Sequence, residues 1–234
     1  MTAPEPQFNP FPGLRPFDSH EAHLFFCRHG QSDELLRRLD ENRFVAVVGT
    51  SGSGKSSLVR AGLLPSLYGG LLRPAGSAWR VAVFRPGADP IGNLGRALSA
   101  PGILPREDDE DPQTVTLTEA VLRRGALGLA QTVVEARLPA GENLLVVVDQ
   151  FEEIFRFRRT SEHRDDAAAF VKLLIEATRQ HQVPIYVILT MRSDYLGDCA
   201  QFRDLPEAIN RGQYLIPRMT RDERRMAITG PVHC

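Results

Sequence analysis

The feature that most constrains this chain is a glycine-rich run between an apolar stretch and a helix-forming stretch. Residues 49–56 read GTSGSGKS, directly after the apolar residues 44–48 and before the SLVRA of residues 57–61. The run fits the pattern G-x-x-x-x-G-K-[ST] in the required order of strand, loop and helix. Strands that alternate with helices form parallel α/β sheets. The sequence therefore predicts an α/β fold of the P-loop NTPase class.

The loop also predicts a nucleotide site. Glycines let consecutive backbone N–H groups and a helix N-terminus point at phosphate oxygens. Lys55 would reach the β and γ phosphates, and the Ser56 hydroxyl would hold Mg²⁺. These residues fit ATP and GTP alike. The predicted nucleotide-binding residues of this segment are Gly49, Thr50, Ser51, Gly52, Ser53, Gly54, Lys55, Ser56 and Ser57.

A second acidic element follows the buried apolar run LLVVV at residues 144–148. Asp149 ends this run, which is the pattern of a central parallel strand with its tip at the ligand edge of the sheet. We predict that Asp149 binds Mg²⁺ beside Ser56. Glu152 or Glu153 would activate the attacking water, although acids that open a helix also simply favour its dipole.

Another apolar run at residues 184–191 ends in Arg192. The tips of parallel strands lie beside the nucleotide, so Arg192 is predicted to contact the γ-phosphate. The alternative for this arginine is an ordinary loop ion pair with Asp194. The predicted catalytic residues are thus Lys55, Glu152, Glu153 and Arg192.

Composition excludes several classes of protein. Twenty-eight basic residues balance 29 acidic ones, so charge shows no clear nucleic-acid signal. The three cysteines form no C-x-x-C pair and predict neither a zinc site nor a disulfide framework. No apolar run approaches the roughly 20 residues of a membrane helix. We expect a protein without membrane association, in the cytoplasm.

The flanking segments carry weaker signals. Five prolines and three phenylalanines in residues 1–17 predict an extended segment that packs on the main domain. Phe26, with Arg28 after it, is predicted to lie against the nucleotide base, the alternative being that the Phe25–Phe26 pair is only core. We expect residues 1–42 to lie near the base, residues 43–218 to form the core, and residues 219–234 to begin a truncated helical C-terminal lid.

Several helices are predicted from apolar spacing and capping residues. The P-loop helix should end before Pro65, because proline cannot continue a helix interior. Thr116 and Glu119 predict a capping box for one helix that runs to about Leu138, and Thr220 with Glu223 predicts another. The acidic residues 107–111 predict a solvated, mobile loop.

Taken together, several segments resemble the novel STAND NTPase 1 family. The segments are NPFPGLRPF at 9–17, FF-x-R at 25–28, KSSLVRAGL at 55–63, FRPG at 84–87, DQFEE at 149–153 and RSD at 192–194. The resemblance spans nearly the whole chain. It implies a three-layer fold with a mainly parallel five-stranded sheet in the order 5-1-4-3-2.

The resemblance also implies a function. STAND proteins are signal-transducing ATPases, so the implied cofactors are ATP and Mg²⁺, and the implied role is a switch, plausibly in bacterial defence. It implies self-association on activation, with sensor repeats and an effector domain outside this chain. Cys27 and His29 depart from the family's usual Phe-Phe-Gly-Arg-Glu, and Gln150 stands where related ATPases place an acid, which predicts slow hydrolysis.

Two other classes remain open at this stage. A P-loop kinase would need lid arginines, for which Arg123 and Arg124 or Arg156, Arg158 and Arg159 are candidates, but nothing specifies a phosphoryl acceptor. An AAA-type DNA-associated ATPase would show a basic face, which the charge balance does not favour.

Overall fold

The computed structural model describes residues 9–26, 28–72, 75–105, 113–157 and 161–233. Cys27, Arg158, Arg159 and the acidic residues 107–111 lie outside the described residues, so the expectations that concern them stay predictions.

A five-stranded sheet organises the fold. Every strand pair in it is parallel, and the order β2-β3-β4-β1-β5 is the predicted 5-1-4-3-2 read from the other edge. The order and the α/β class are therefore confirmed. The strands are β1 (Phe44–Gly49), β2 (Trp79–Phe84), β3 (Asn143–Val148), β4 (Ile185–Arg192) and β5 (Gln213–Leu215).

Helices cover both faces of this sheet. Their bounds are α1 (His29–Asn42), α2 (Lys55–Ser57), α3 (Leu64–Tyr68), α4 (Pro90–Leu98), α5 (Gln113–Arg123), α6 (Gly128–Glu135), α7 (Glu153–Arg156), α8 (Ser161–Arg179), α9 (Leu205–Gly212) and α10 (Arg221–Thr229). A π-helix, Leu58–Leu63, joins α2 to α3. Short 3₁₀ turns span Ser19–Leu24, Ser193–Tyr195, Gly197–Gln201 and Gly230–His233.

The central strands are apolar on both faces because each face meets a helical layer. Ala46 and Val146 point into one core, which α4, α5, α6, α8 and α9 complete. Val45 and Val147, one residue away, point into the other core, against α1, the π-helix and α3. The predicted three-layer sandwich is confirmed, and the carboxyl tips of β1, β3 and β4 lie together at one edge.

The prediction of one helix from Thr116 to Leu138 is wrong. α5 begins at Gln113, so Thr116 lies inside the helix rather than at its cap, and α6 starts only at Gly128. The chain turns back between them, and a side chain at Gly128 would lie 2.6 Å from the carbonyl oxygen of Val121. Glycine at this position allows the start of α6 to pack closely against α5.

The predicted stop before Pro65 is also wrong. The P-loop helix continues through the π-helix into α3, which ends at Tyr68. Leu64 N–H donates to Val59, five residues earlier, at the join between the two helix types. Pro65 therefore falls in the first turn of α3, where a missing N–H is tolerated.

The described N-terminal segment packs against the C-terminal 3₁₀ turn. The rings of Phe17 and Phe25 lie 5.8 Å apart, and a side chain at Gly230 would lie 2.6 Å from Cγ of Phe26. Thr220 and Glu223 form the predicted capping box of α10. Across the described ranges, none of the helices combines the length and apolar character that crossing a membrane requires.

Candidate functional site

The glycine-rich loop wraps from β1 to α2 in the way that phosphate binding requires. Gly52 and Gly54 have φ values of 71° and 84°, in the left-handed region that glycine adopts without strain. The Lys55 ammonium lies across the loop and donates to the carbonyls of Gly49 at 3.1 Å and Thr50 at 2.8 Å. The loop thus curls so that its first two carbonyls meet the ammonium of Lys55.

Asp149 lies where β3 ends, and it is 1% exposed. Its Oδ1 accepts two hydrogen bonds of 2.6 Å, one from the hydroxyl of Ser56 and one from that of Thr190. Its Oδ2 is buried and has no hydrogen-bond partner within the described part of the chain. A buried carboxylate oxygen that lacks a hydrogen-bond partner and the neighbouring serine hydroxyl together offer oxygen ligands that suit Mg²⁺.

The residues around Asp149 offer a cation few other ligands. Among the described residues, no group of three or more histidine, cysteine, aspartate or glutamate side chains is placed to hold a metal ion. A magnesium ion at Ser56 and Asp149 would therefore complete its shell with phosphate and water, as this ion does in phosphate sites. The geometry fits a metal that arrives with a nucleotide.

Glu152 and Glu153 have different environments, which their sequence positions did not distinguish. Glu152 is 8% exposed, and its Oε2 accepts from Arg192 N–H at 3.4 Å. Burial raises the pKa of its carboxyl, while the nearby charges of Lys55 and Arg192 act in the opposite direction. The bond to Arg192 N–H places the Glu152 carboxyl at the tip of β4, beside the strand that leads into the glycine-rich loop.

Glu153 is instead held by neighbouring loops. Its Oε2 accepts from Gly87 N–H at 3.0 Å. With the amide of Gln150 oriented to satisfy both neighbours, that amide donates to Glu153 Oε1 at 3.1 Å and accepts from Arg85 at 3.2 Å. Both carboxylate oxygens are thus engaged, and Glu153 ties the end of β2 to the turn after Asp149.

Arg192 lies at the tip of β4, directly beside Gly49 in the register of the sheet. Its guanidinium is paired with Asp194, with a side chain that is 41% exposed, and it lies over the ring of Tyr195 at 5.6 Å. The pairing raises the pKa of Arg192 and lowers that of Asp194. The backbone position matches the prediction, while the side chain adopts the alternative ion pair.

Arg28 lies over the P-loop. It is 6% exposed, and its Nη2 donates to the Ser53 carbonyl at 3.0 Å while its Nη1 donates to Gln31 at 2.7 Å. Burial lowers the pKa of this guanidinium, opposed by the charges of Glu223 and Tyr214. Arg28 also borders a cavity of about 890 Å³ on the loop. Its other lining residues are Gly49, Thr50, Gly52, Ser53, Ser193, Leu215, Ile216, Pro217, Arg218, Met219 and Arg224.

Two predicted binding residues face other parts of the protein. Phe26 packs on Gly230 of the C-terminal 3₁₀ turn. The Ser57 hydroxyl accepts from the backbone N–H of Phe17 at 3.2 Å, so it anchors the N-terminal segment to the P-loop helix. Arg123, one of the arginines considered for a kinase lid, forms ion pairs with Asp89, Glu119 and Asp166.

Sequence reasoning missed three contributors to the site. Thr190 donates to Asp149 and accepts from Gln150 N–H at 3.0 Å; as a polar residue near the end of a buried apolar run, it carried a signal. Arg60 lies 3.6 Å from Asp149 Oδ2, and its position four residues after Ser56 was the clue. Four apolar residues, Leu215, Ile216, Pro217 and Met219, border the cavity together with Arg218, and nothing in their pattern indicated this.

The family model of the novel STAND NTPase 1 matches residues 10–234. No curated protein matches the chain significantly. Among solved structures, the fold is similar to the ORC2 protein of Aeropyrum pernix, determined as ADPNP–ADP complexes, with a TM-score of 0.60 and 12% identity. The match covers 96% of this chain but only 55% of that one, and at this identity it shows the fold alone.

Proposed function

This chain belongs to the novel STAND NTPase 1 family, and from that premise we propose that it is a nucleotide-driven switch that binds ATP with Mg²⁺ and hydrolyses it slowly. The observation that carries the proposal is the joint placement of Lys55, Ser56 and Asp149. A loop cation, a helix hydroxyl and a buried carboxylate meet at one sheet edge, where parallel α/β proteins bind ligands.

Each residue has a role in this proposal. The N–H groups of residues 50–56 bind the phosphates, and Lys55 leaves the carbonyls of Gly49 and Thr50 to bind the β and γ phosphates. Ser56 and Asp149 hold Mg²⁺, which neutralises charge that develops on the phosphates. Arg28 and the apolar segment around Ile216 form the walls against which the base and ribose lie.

Glu152 is our candidate for the residue that activates water. Its buried carboxyl lies at the tip of β4, beside the strand that leads into the glycine-rich loop, whereas both oxygens of Glu153 are engaged. Gln150, directly after Asp149, has a φ of 57° and turns its amide toward Arg85 and Glu153. Gln150 thus places an amide where a carboxylate could act, and the Glu152 carboxylate also accepts a hydrogen bond from Arg192 N–H. Both features predict slow turnover.

Two measurements on the wild-type chain test this function. Calorimetric titration should show ATP binding that strengthens with Mg²⁺, and a phosphate-release assay should show slow turnover of ATP. A chain that binds no nucleoside triphosphate would refute the proposal. Comparison of ATP with GTP then identifies the base.

The switch role further requires partners. We propose that sensor repeats and an effector domain act together with this module, and that the ATP-bound state self-associates. This extension draws on the family and on the placement of Arg224 of α10, which lines the cavity on the loop together with Arg28. Sedimentation of the chain with ATP and with ADP tests it, and an identical mass in both states would contradict it.

We predict that Arg192→Ala leaves ADP affinity near normal and removes the preference for ATP. Only a group that contacts the γ-phosphate gains interaction energy in one nucleotide state and not in the other. Arg192 would exchange its exposed partner Asp194 for the γ-phosphate, and exposed ion pairs of this kind contribute little stability. Calorimetry with ATP and ADP measures the ratio.

The matched control for this prediction is Asp194→Asn, which releases the guanidinium without removing it. It should keep or increase the preference for ATP. Equal losses of ATP and ADP affinity in Arg192→Ala would mean that Arg192 supports only the fold of the β4 tip.

A further inference from the structure

A guanidinium lies against the carboxylate that we assign to the metal. Arg60 Nη2 is 3.6 Å from Asp149 Oδ2, which is within ion-pair range but longer than the roughly 2.7–3.2 Å of an N–H···O hydrogen bond. The Nε of Arg60 is buried and, like Oδ2, lacks a hydrogen-bond partner in the described ranges. The two groups are therefore close enough to attract each other electrostatically, but they form no hydrogen bond.

The helix geometry explains why Arg60 lies there. Residues four apart share a helix face, so Arg60 follows Ser56 by one turn on the side that faces β3. The π-helix Leu58–Leu63 begins between them and widens this turn, and such segments are frequent at functional sites. Its residues Leu58 and Leu63 are buried in the core, which fixes the backbone that carries Arg60.

The second contact of Asp149 fixes its orientation. The Thr190 hydroxyl accepts from Gln150 N–H, so its single proton is directed to Oδ1, which also receives the Ser56 hydroxyl. The carboxylate cannot rotate without loss of these bonds, and Oδ2 is held toward Arg60. Because Asp149 is almost fully buried, and the Arg60 side chain is only 26% exposed, solvent screens their interaction weakly.

We propose that Arg60 is a positioning residue that balances the charge of Asp149 and weakens the binding of a free divalent cation. A magnesium ion at Ser56 and Asp149 would share the carboxylate with a fixed positive charge, and like charges repel. The phosphates of the nucleotide offset that repulsion. The site would thus reject Mg²⁺ alone and accept it together with a triphosphate, an inference that rests on the function proposed above.

The test measures how Mg²⁺ binding depends on Arg60. In a titration of the full chain with MgCl₂ in the absence of nucleotide, Arg60→Met should reach its midpoint at a several-fold lower Mg²⁺ concentration than the wild type. At saturating ATP the shift should be smaller, because the phosphates offset the repulsion between Arg60 and the cation. Arg60→Lys keeps the charge, so its midpoint should stay near that of the wild type.

A matched control is Arg96→Met. Arg96 forms an ion pair with Asp89 at 3.3 Å on α4, so this variant also removes an arginine–aspartate pair, but outside the site, and should not move the midpoint. Should Arg60→Met fail to fold, as judged by thermal melting, Arg60→Gln removes the same charge while keeping a polar side chain and carries the same expectation.

Two results would overturn the inference. An unchanged Mg²⁺ midpoint in folded Arg60→Met would show that the guanidinium does not act on the metal, and a higher midpoint would show that Arg60 supports metal binding. Both differ from failure of the proposed function, in which the wild-type chain itself would bind no ATP.

Discussion

Replacement of Lys55 by alanine should weaken ATP binding by about a hundredfold or more while leaving the fold intact. In our proposal the ammonium leaves two backbone carbonyls and binds phosphate oxygens, and hydrogen bonds to charged groups contribute roughly 1.5–3 kcal/mol each. Two such bonds correspond to a factor of about a hundred or more, at roughly 1.4 kcal/mol for each tenfold change. Calorimetric titration with ATP and Mg²⁺ measures the effect.

The chain offers a well-matched control for this experiment. Its only other lysine is Lys172, exposed on α8. Lys172→Ala removes the same charge from the chain and should bind ATP with wild-type affinity. If Lys55→Ala retained full affinity and folded normally, the phosphates could not lie in the glycine-rich loop, and the assignment of the site would be withdrawn.

The sheet was predictable because each of its buried central strands is marked by its own apolar run in the sequence. The apolar runs that end in Gly49, Asp149 and Arg192 identify buried parallel strands by composition alone, and the loop that follows β1 fixes the edge at which ligands bind. Parallel pairing then brings these three residues to one edge without any further assumption. The strand order, by contrast, came from the family resemblance, because composition does not specify which strands are neighbours.

Side-chain partners were less predictable, since they depend on where distant segments meet. Glu152 and Glu153 are adjacent and chemically identical, yet only the packing of residues 84–87 against the turn after Asp149 separates them. The turn between α5 and α6 likewise brings Gly128 close to the preceding helix, a contact that no periodicity reveals. Pro65 shows a third case, because a change of helix type moved it from a helix interior to a first turn.

We expect Glu152→Gln to bind ATP with near-normal affinity but to lose turnover by a factor of about 10² to 10⁴, the usual contribution of a general base. The amide retains the size and the hydrogen-bonding oxygen of the carboxylate, so the bond from Arg192 N–H can persist. It cannot accept a proton from water. Single-turnover phosphate release at saturating ATP, together with calorimetry, separates the loss of chemistry from any loss of binding.

The neighbouring Glu153→Gln is the control. Its oxygens receive bonds from Gly87 and Gln150, so the change should lower thermal stability slightly and leave most of the turnover. The reverse pattern, with turnover lost in Glu153→Gln and kept in Glu152→Gln, would assign the base to Glu153. Full turnover in both variants would place the base outside this pair.

The pH dependence of turnover is an independent test of the role of Glu152. A general base must be ionised, and burial raises the pKa of Glu152 above its ordinary value of 4.5. Turnover in the wild type should therefore fall as the pH is lowered through that raised pKa, which means that the acidic limb lies above pH 4.5. The residual turnover of Glu152→Gln should lack this limb, because its amide does not titrate. An acidic limb that persists unchanged in Glu152→Gln would show that another group carries the proton, even if the rate had fallen as expected.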